Sequence, residues 1–349
     1  MKKLNHIFYN SAIFIYVIFL RHIRFIKILL LIIFIQSFFW GCGYETKADK
    51  FKLLPESSYS NYLMNKVSGA TPETHYYGDT GIPNDYNTHL LNKGKDAYAL
   101  ESQPTSFSWA DRGAVTVAKN QGQCGSCWAF AATGAFESKI IINFGIIYNL
   151  SEQQQVSCNN ISEHGCAGGN LTSIIYWEDA GWNHGPMLEN CTGYCACDEP
   201  CSNFSGTCYE MGYRTTGFYT VNTNNINDIK SSLYNNGPAY FGFDVYEDFE
   251  VFWGYGEYQA VYTNTDTSAI YLGGHAVLII GWNDDKGAWL CKNSWGAFSG
   301  PNGNGTFWMA YSGHIHNLNL RMANDIMKPD LKTYSTPCQI PGMNINCCN

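Results

Sequence analysis

The order of hydrophobic patterns along the chain predicts an α+β protein in two halves, with helices early and strands late. Three observations carry this. Apolar residues recur at three- and four-residue steps in the first part of the apolar-rich region, which is helix spacing. The later part is made of short β-type runs bounded by glycine, asparagine and proline. Hydrophobic residues make up 45% and aromatics 15% of the 349 positions, enough for a real core and too much for wholesale disorder.

Residues 1–42 read as a leader. Ile7 to Leu20 is mostly apolar, Arg21, His22, Arg24 and Lys27 interrupt it, and ILLLIIFIQSFFW follows. Neither stretch reaches the roughly 18 apolar residues of a membrane-spanning helix. The second, with basic residues before it, resembles a secretory signal core. It ends in FWGC, where Cys42 after a small residue resembles a lipoprotein processing site; lipid attachment, ordinary cleavage and an uncleaved anchor all stay open. Residues 43–103 shift to Ser, Thr, Asn, Tyr and Lys, the composition of a tether or short propeptide. Apolar density then rises at Phe107-Ser108-Trp109 and holds, so residues 104–349 are expected to form the folded domain.

Within that domain the first helix is expected from Ser126 through CWAFAATGAFESKIII. A second, SEQQQVSC, opens with Ser151 as its cap and Glu152 and Gln154 in its first turn. A third follows Gly168-Gly169 around LTSIIYWEDAG, and a fourth, NINDIKSSLYNNG, stops at Gly237-Pro238. Strands are expected in AYFGFDVY, YQAVYT, HAVLIIGW, AWLCKNSW and GTFWMAY. The net charge of −8 lacks the basic stripe that phosphate binding needs, which excludes nucleic acid as a partner. Fourteen cysteines behind an apolar N-terminus point to an oxidising compartment and a disulfide framework.

The chemistry concentrates in NQGQCGSCWAF, Asn120 to Phe130, where Cys124 and Cys127 have C-x-x-C spacing. Cys127 stands where a loop enters a helix, and the positive end of the helix favours a thiolate. A redox pair would want a small α/β domain around it, and no such strand–helix alternation surrounds this one. Structural zinc would need further ligands, for which CTGYCACDEPC (Cys191, Cys195, Cys197, Cys201) offers thiols; in an oxidising compartment cystines are their expected fate. No metal or cofactor is expected. The remaining reading makes Cys127 a nucleophile, which needs a base, a residue to orient it and an oxyanion donor. GGHAVLIIGW supplies His275, and CKNSWG supplies Asn293 and Trp295.

These segments resemble the papain family of cysteine proteases. PTSFSWADRGAVTVAKNQGQCGSCWAF matches the start of that family's mature domain, and NLSEQQQVSCNNISEHGCAGGN its second signature. The family places His and Asn roughly 130–150 residues beyond the nucleophile; His275 falls inside that span and Asn293 just past it. The resemblance covers about residues 104–312 and implies a two-lobed fold, with a helical lobe, a β-barrel-like lobe and the active-site cleft between. It implies Cys127 as nucleophile paired as thiolate with an imidazolium at His275, and Asn293 orienting the ring under Trp295. Gln121 would be the oxyanion donor, and Gly168 and Gly169 the wall where substrate backbone passes. It pairs Cys124 with Cys166, and Cys158 with a cysteine between Cys191 and Cys208. Polypeptide substrates and protein inhibitors are the implied partners, and secretion or surface attachment, with a membrane tether through the N-terminus, the implied setting.

Departures from the family pattern sharpen the expectations. Asn170 and Leu171 replace the usual pocket aromatic and Gly274 precedes the histidine, so an open or altered S2 subsite is expected. NNGPAYFGFDVYEDF resembles the cathepsin B branch, but residues 182–208 hold only His184 and no histidine pair, which favours an endopeptidase over an exopeptidase. The segment before Gln103 lacks a long helical inhibitor pattern, and Cys338, Cys347 and Cys348 have no family counterpart. A catalytically silent binding protein is the rival from another class; such chains usually lose the nucleophile or the base, and this one keeps both.

Overall fold

The computed structural model describes residues 75–81, 103–160, 165–177, 184–204 and 208–327, with two short strands further on at Gln339–Ile340 and Met343–Asn344. The leader with Cys42, most of residues 43–103, and Cys338, Cys347 and Cys348 lie outside the described residues.

Helix α1, Cys127–Phe144, is the axis of the fold: every residue from Cys127 to Ile140 is buried. A helix apolar on all sides belongs inside a protein. Its small face brings it close to the sheet: a side-chain carbon at Gly134 would lie 3.3 Å from Leu278 and 3.4 Å from Lys292 Nζ. The helix stops at Gly145, whose left-handed φ of 69° lets its N–H close on the Ile141 carbonyl. Its buried carboxylate is partnered: Glu137 accepts from Thr116 Oγ1 at 2.5 Å and from the Leu150 N–H at 2.9 Å.

Helix α2, Glu152–Cys158, opens with Ser151 Oγ accepting from the Gln154 N–H at 3.1 Å. The helix expected from Leu171 is instead a tighter 3₁₀ run, Leu171–Trp177, with all seven residues buried. Its Thr172, Ile174, Ile175, Tyr176 and Trp177 are weak helix formers, so packing decides the local geometry. Helix α3, Ile226–Asn236, is capped by Asn225 Oδ1 accepting from the Asn227 N–H and ends at Gly237.

The sheet comprises β1 (Ser106–Ser108), β2 (Gly217–Val221), β3 (Ala239–Tyr246), β4 (Val261–Tyr262), β5 (Tyr271–Asn283), β6 (Ala288–Lys292), β7 (Thr306–Ala310) and β8 (Arg321–Ile326). Their order is β2-β8-β3-β5-β6-β7-β4, with β1 against β5. Every pairing is antiparallel except β4 with β7. The path runs from β2 to β4 without closing, so the β-barrel-like lobe expected from the resemblance is an open sheet. Its last strand, β4, is only two residues long and meets β7 in parallel. The class, helices packed beside a mostly antiparallel sheet, is α+β as expected.

Side-chain alternation along β5 sorts the core into layers. Ala276, Leu278 and Ile280 pack with residues of α1, while Val277 and Ile279 join Phe241 and Phe243 of β3 in a second core. Helices α3 and α4 (Glu247–Tyr255) cover that second core through Ile229, Leu233, Phe249 and Trp253. A register shift between Ile279 and Gly281 turns Trp282 back to the second layer, where it stacks on Phe107. Helix α4 was not anticipated; the acidic Glu247, Asp248 and Glu250 of its first turn are the signal that favours it. Four disulfides pin the loops beside α1 and α2: Cys124–Cys166, Cys158–Cys201, Cys191–Cys208 and Cys195–Cys197. Among the described residues no helix is long and apolar enough to cross a membrane.

Candidate active site

The loop before α1 delivers two groups to one place. Gln121 is held by a backbone bond from its N–H to the Ser294 carbonyl at 2.8 Å, and the Gly296 N–H returns to Lys119 at 3.0 Å. These bonds tie the segment before Cys127 to the CKNSWG segment although the two lie far apart in the chain. Behind them Lys119 is lodged between Glu152 (2.7 Å), Glu137 (3.4 Å) and the Leu150 carbonyl (2.9 Å). Ser294 Oγ donates to Gln121 Oε1 at 2.6 Å, which fixes the amide with its N–H₂ end toward the cleft. Two residues after Gly125, Cys127 enters α1 as a free thiol with no exposed surface.

The facing wall is β5 and the β6 end. His275 donates Nε2–H to Asn293 Oδ1 at 2.7 Å, and the Ser294 N–H donates to the same oxygen at 2.8 Å. That bond assigns the proton to Nε2 and leaves Nδ1 as the bare nitrogen; Nδ1 has no hydrogen-bond partner among the described residues. Trp295 stacks on the imidazole with centroids 4.6 Å apart, shielding the His275–Asn293 bond. The backbone N–H groups of Ala276, Gly78 and Trp128 are directed at the Cys127 sulfur, which puts the residue after His275 against the thiol. Burial, with the Asp79 carboxylate adding to it, pushes the Cys127 thiol up to about 12. Burial likewise pushes His275 down to about 3, against the bond to Asn293. In this covered state both partners are neutral.

What covers them is the chain itself. Residues 75–81, a strap that the sequence reading missed, lie along the cleft. Gln121 Nε2 donates to the Tyr76 carbonyl at 2.9 Å as well as to that of Cys124. Gly78 presses against Gly125, where a side-chain carbon would sit 1.7 Å from the Gly125 carbonyl oxygen. Beyond it the strap pairs with Gly169: the Gly169 N–H donates to Gly78 at 2.7 Å, the Thr80 N–H donates to Gly169 at 2.7 Å, and the Asp79 N–H donates to Gly274 at 2.9 Å. At the other end His75 stacks on Trp295 at 3.7 Å, and its Nδ1 lies 2.6 Å from Glu250 Oε2. Tyr77 hydroxyl donates to Glu250 Oε1 and turns its ring edge to His275. The only advance signal was small: an aromatic pair followed by glycine, HYYGD, inside an otherwise polar stretch.

The remaining expected residues divide. Gly168, at φ 135°, passes under the strap, where a side-chain carbon would meet the Gly78 carbonyl at 2.8 Å. Gly169 must stay bare for another reason as well, since a side chain would enter the Trp128 ring at 2.4 Å. A side chain at Gly274 would run into the Asp79 carbonyl at 2.0 Å. Asn170 does not reach the strap: its Oδ1 takes the Thr172 N–H and hydroxyl, at 3.0 and 2.6 Å. Leu171 packs in the core with Cys127 and Trp128. His184 stacks on Tyr176 and pairs with Glu210 at 3.1 Å. Cys195, Cys197 and Glu199 cluster, but the two sulfurs are bonded to each other, so their thiolates are not free for a metal. Among the described residues Cys291 is the other free thiol, buried in the core.

A helix-borne thiol, an amide held beside it, and an amide-oriented imidazole on the facing sheet have the geometry of thiol-based acyl transfer. Comparison with known proteins narrows the class. A model of papain family cysteine proteases matches residues 103–324, and the chain belongs to that family. It is 32% identical over 240 residues to cysteine proteinase A of Leishmania mexicana, covering 63% of this chain and 60% of that protein. With cathepsin L of Sarcophaga peregrina it shares 33% over 206 residues, 57% of each. With cathepsin S of Rattus norvegicus it shares 32% over 253 residues, 69% of this chain and 71% of that one. The chain thus spans about three-fifths of the length of the first two relatives. Among solved structures it is similar to the Carica candamarcensis cysteine protease CMS1MS2, crystallised in complex with E-64, with a TM-score of 0.51 and 25% identity over 64% of this chain and 99% of that one.

Proposed function

We propose that the chain is a cysteine endopeptidase that hydrolyses polypeptides through an acyl-thioester, and that its residues 43–103 are a propeptide whose strap keeps it closed. The observation that carries this is the set of four side chains at one point: Cys127 at the start of α1, Gln121 beside it, and His275 held by Asn293 opposite. Once the strap leaves, water and the helix end allow the thiol to ionise while Nδ1 takes the proton. The thiolate attacks the scissile carbonyl carbon. The oxyanion gathers at Gln121 Nε2 and the Cys127 N–H, where Gln121 now holds the Tyr76 carbonyl. His275 returns the proton to the leaving amine, and water, deprotonated by the same ring, releases the acid. Asn293 keeps the ring in the tautomer that both steps use.

The strap resists this chemistry by burying the Cys127 sulfur away from water, with the Asp79 carboxylate beside it, and by taking the Gln121 amide through the Tyr76 carbonyl. With His184 engaged elsewhere and no histidine pair, an endopeptidase remains the reading. Four disulfides suit an oxidising compartment, and we place the chain outside the cytosol, secreted or held at a surface through residues 1–42. The test is covalent. An epoxysuccinyl thiol-protease inhibitor is expected to modify Cys127 of the activated protein and to abolish peptide hydrolysis together with it; Cys127→Ser is expected to lose both. A protein that neither hydrolyses peptides nor takes the label at Cys127 would instead be a binding module.

A further inference from the structure

The strap's third contact is chemically specific. Asp79 has a carboxylate with no exposed surface, and its Oδ2 lies 2.8 Å from Arg321 Nε and 2.7 Å from Nη2. Its Oδ1 takes the Gly81 N–H at 3.1 Å. Arg321 reaches there from β8, and its third nitrogen, Nη1, is committed to Asp244 Oδ1 at 3.1 Å and the Asn319 carbonyl at 2.9 Å. Two glycines clear the space: a side-chain carbon at Gly242 would sit 2.2 Å from Asp79 Oδ2, and one at Gly274 would sit 2.7 Å from Arg321 Nη2. Tyr240 lies beside the same carboxylate, and its buried hydroxyl has no partner of good hydrogen-bond geometry among the described residues. Burial raises the Asp79 carboxyl above the usual range even with the guanidinium at its side, which marks how dry the pocket is.

Position along the cleft identifies the pocket. Gly78 sits at the Cys127 sulfur and Asp79 is the next residue, opposite Gly169. A substrate whose acyl side pairs with Gly169 places its second residue there. When the strap departs, Asp244 and the Asn319 carbonyl still hold Nη1, but the Nε–Nη2 edge of the fork faces the empty subsite. An apolar side chain would seal that edge and the Tyr240 hydroxyl from water while offering no acceptor. A carboxylate would restore the two-donor contact that Asp79 makes.

We infer that Arg321 makes the S2 subsite select acidic side chains, so that this peptidase cleaves after sequences carrying Asp or Glu as the second residue on the acyl side of the scissile bond. The inference rests on the peptidase reading and specifies its substrate class, with Asp79 as the chain's own occupant of the subsite.

The experiment is a fluorogenic peptide library varied at that second residue. The enzyme is the full-length protein after proteolytic activation and, separately, full-length Gly78→Val, whose side chain the Gly125 carbonyl would reject. Glu and Asp peptides are expected to exceed Leu and Phe peptides, and the isosteric Gln peptide, by tenfold or more in kcat/KM. In Arg321→Gln that ratio is expected to collapse, and in Arg321→Glu to shift toward Lys and Arg. Should the Arg321 variants fold poorly, the Glu-against-Gln ratio of the wild type decides alone. Hydrolysis with Leu or Phe preferred overturns the inference and leaves the peptidase reading intact. No hydrolysis of any member overturns both.

Discussion

The strap is fastened at both ends by a carboxylate, yet the two ends sit in different media. At the Trp295 end, His75 and Tyr77 share Glu250, and the His75 and Glu250 side chains keep 14% and 20% of their surface. At the Gly169 end, Asp79 and Arg321 keep 0% and 5%. The same kind of contact therefore has different consequences when broken. A partly wet pair is screened, and its loss is made good by water, for about 1 kcal/mol or less. A buried pair deprived of one partner leaves a guanidinium edge with nothing to replace it, at roughly 3–5 kcal/mol. The Asp79 end is expected to decide whether the strap stays, and the Glu250 end to adjust how firmly.

The largest effect should follow from Asp79→Ala. Taking the lower figure, because Arg321 keeps Asp244 and the Asn319 carbonyl, the loss is about 3 kcal/mol, or about a hundredfold in strap occupancy. The rate at which intact, unprocessed protein reacts with a thiol label at Cys127 should rise by that order. An Asp79→Ala chain labelled no faster than the wild type would show that the buried end does not hold the strap.

A second effect concerns pH. Under the strap His275 is pushed down to about 3 and Cys127 up to about 12, both by burial first. Above pH 3 the ring has lost its proton, and below pH 12 the sulfur has kept its own, so the covered pair is neutral across the range between. Labelling of the covered wild type by uncharged iodoacetamide should climb continuously into alkaline solution as thiolate appears. Labelling of Asp79→Ala should already be fast and nearly flat through neutral pH, where an ion pair is the resting state. Identical profiles for the two proteins would mean that strap removal does not ionise the site.

How much of this was legible beforehand differs by type of contact. Cys127, Gln121, His275 and Asn293, the candidate site, stand in local motifs that match the family's signatures, so their segments could be read one at a time. The long β-runs were legible because buried strands and apolar runs coincide. The strap was not, because Tyr76 to Thr80 is held by backbone hydrogen bonds and by glycines that leave room for it, neither of which has a periodicity. Arg321 was hidden for a related reason: an arginine in NLNLRMANDI looks like a surface residue until Asp79 arrives from the other end of the chain. The open sheet has the same origin, since closure depends on how β2 and β4 meet their neighbours rather than on the pattern within either.

The smallest effect is the most discriminating. Glu250→Gln keeps the size of the side chain and one acceptor oxygen, but its amide end can satisfy only one of the two strap groups that Glu250 now accepts, the His75 nitrogen and the Tyr77 hydroxyl. The stacking of His75 on Trp295 at 3.7 Å does not depend on that charge and should persist. The change should cost about 0.5–1 kcal/mol, roughly two- to fivefold in strap occupancy, and should shrink further at high salt because the pair is partly screened already. The Asp79→Ala effect, arising in a dry pocket, should be nearly insensitive to salt. Measured side by side as Cys127 labelling rates at low and high ionic strength, the two variants should separate in both size and salt response. Glu250→Gln opening the cleft as far as Asp79→Ala would place the controlling contact at the Trp295 end instead.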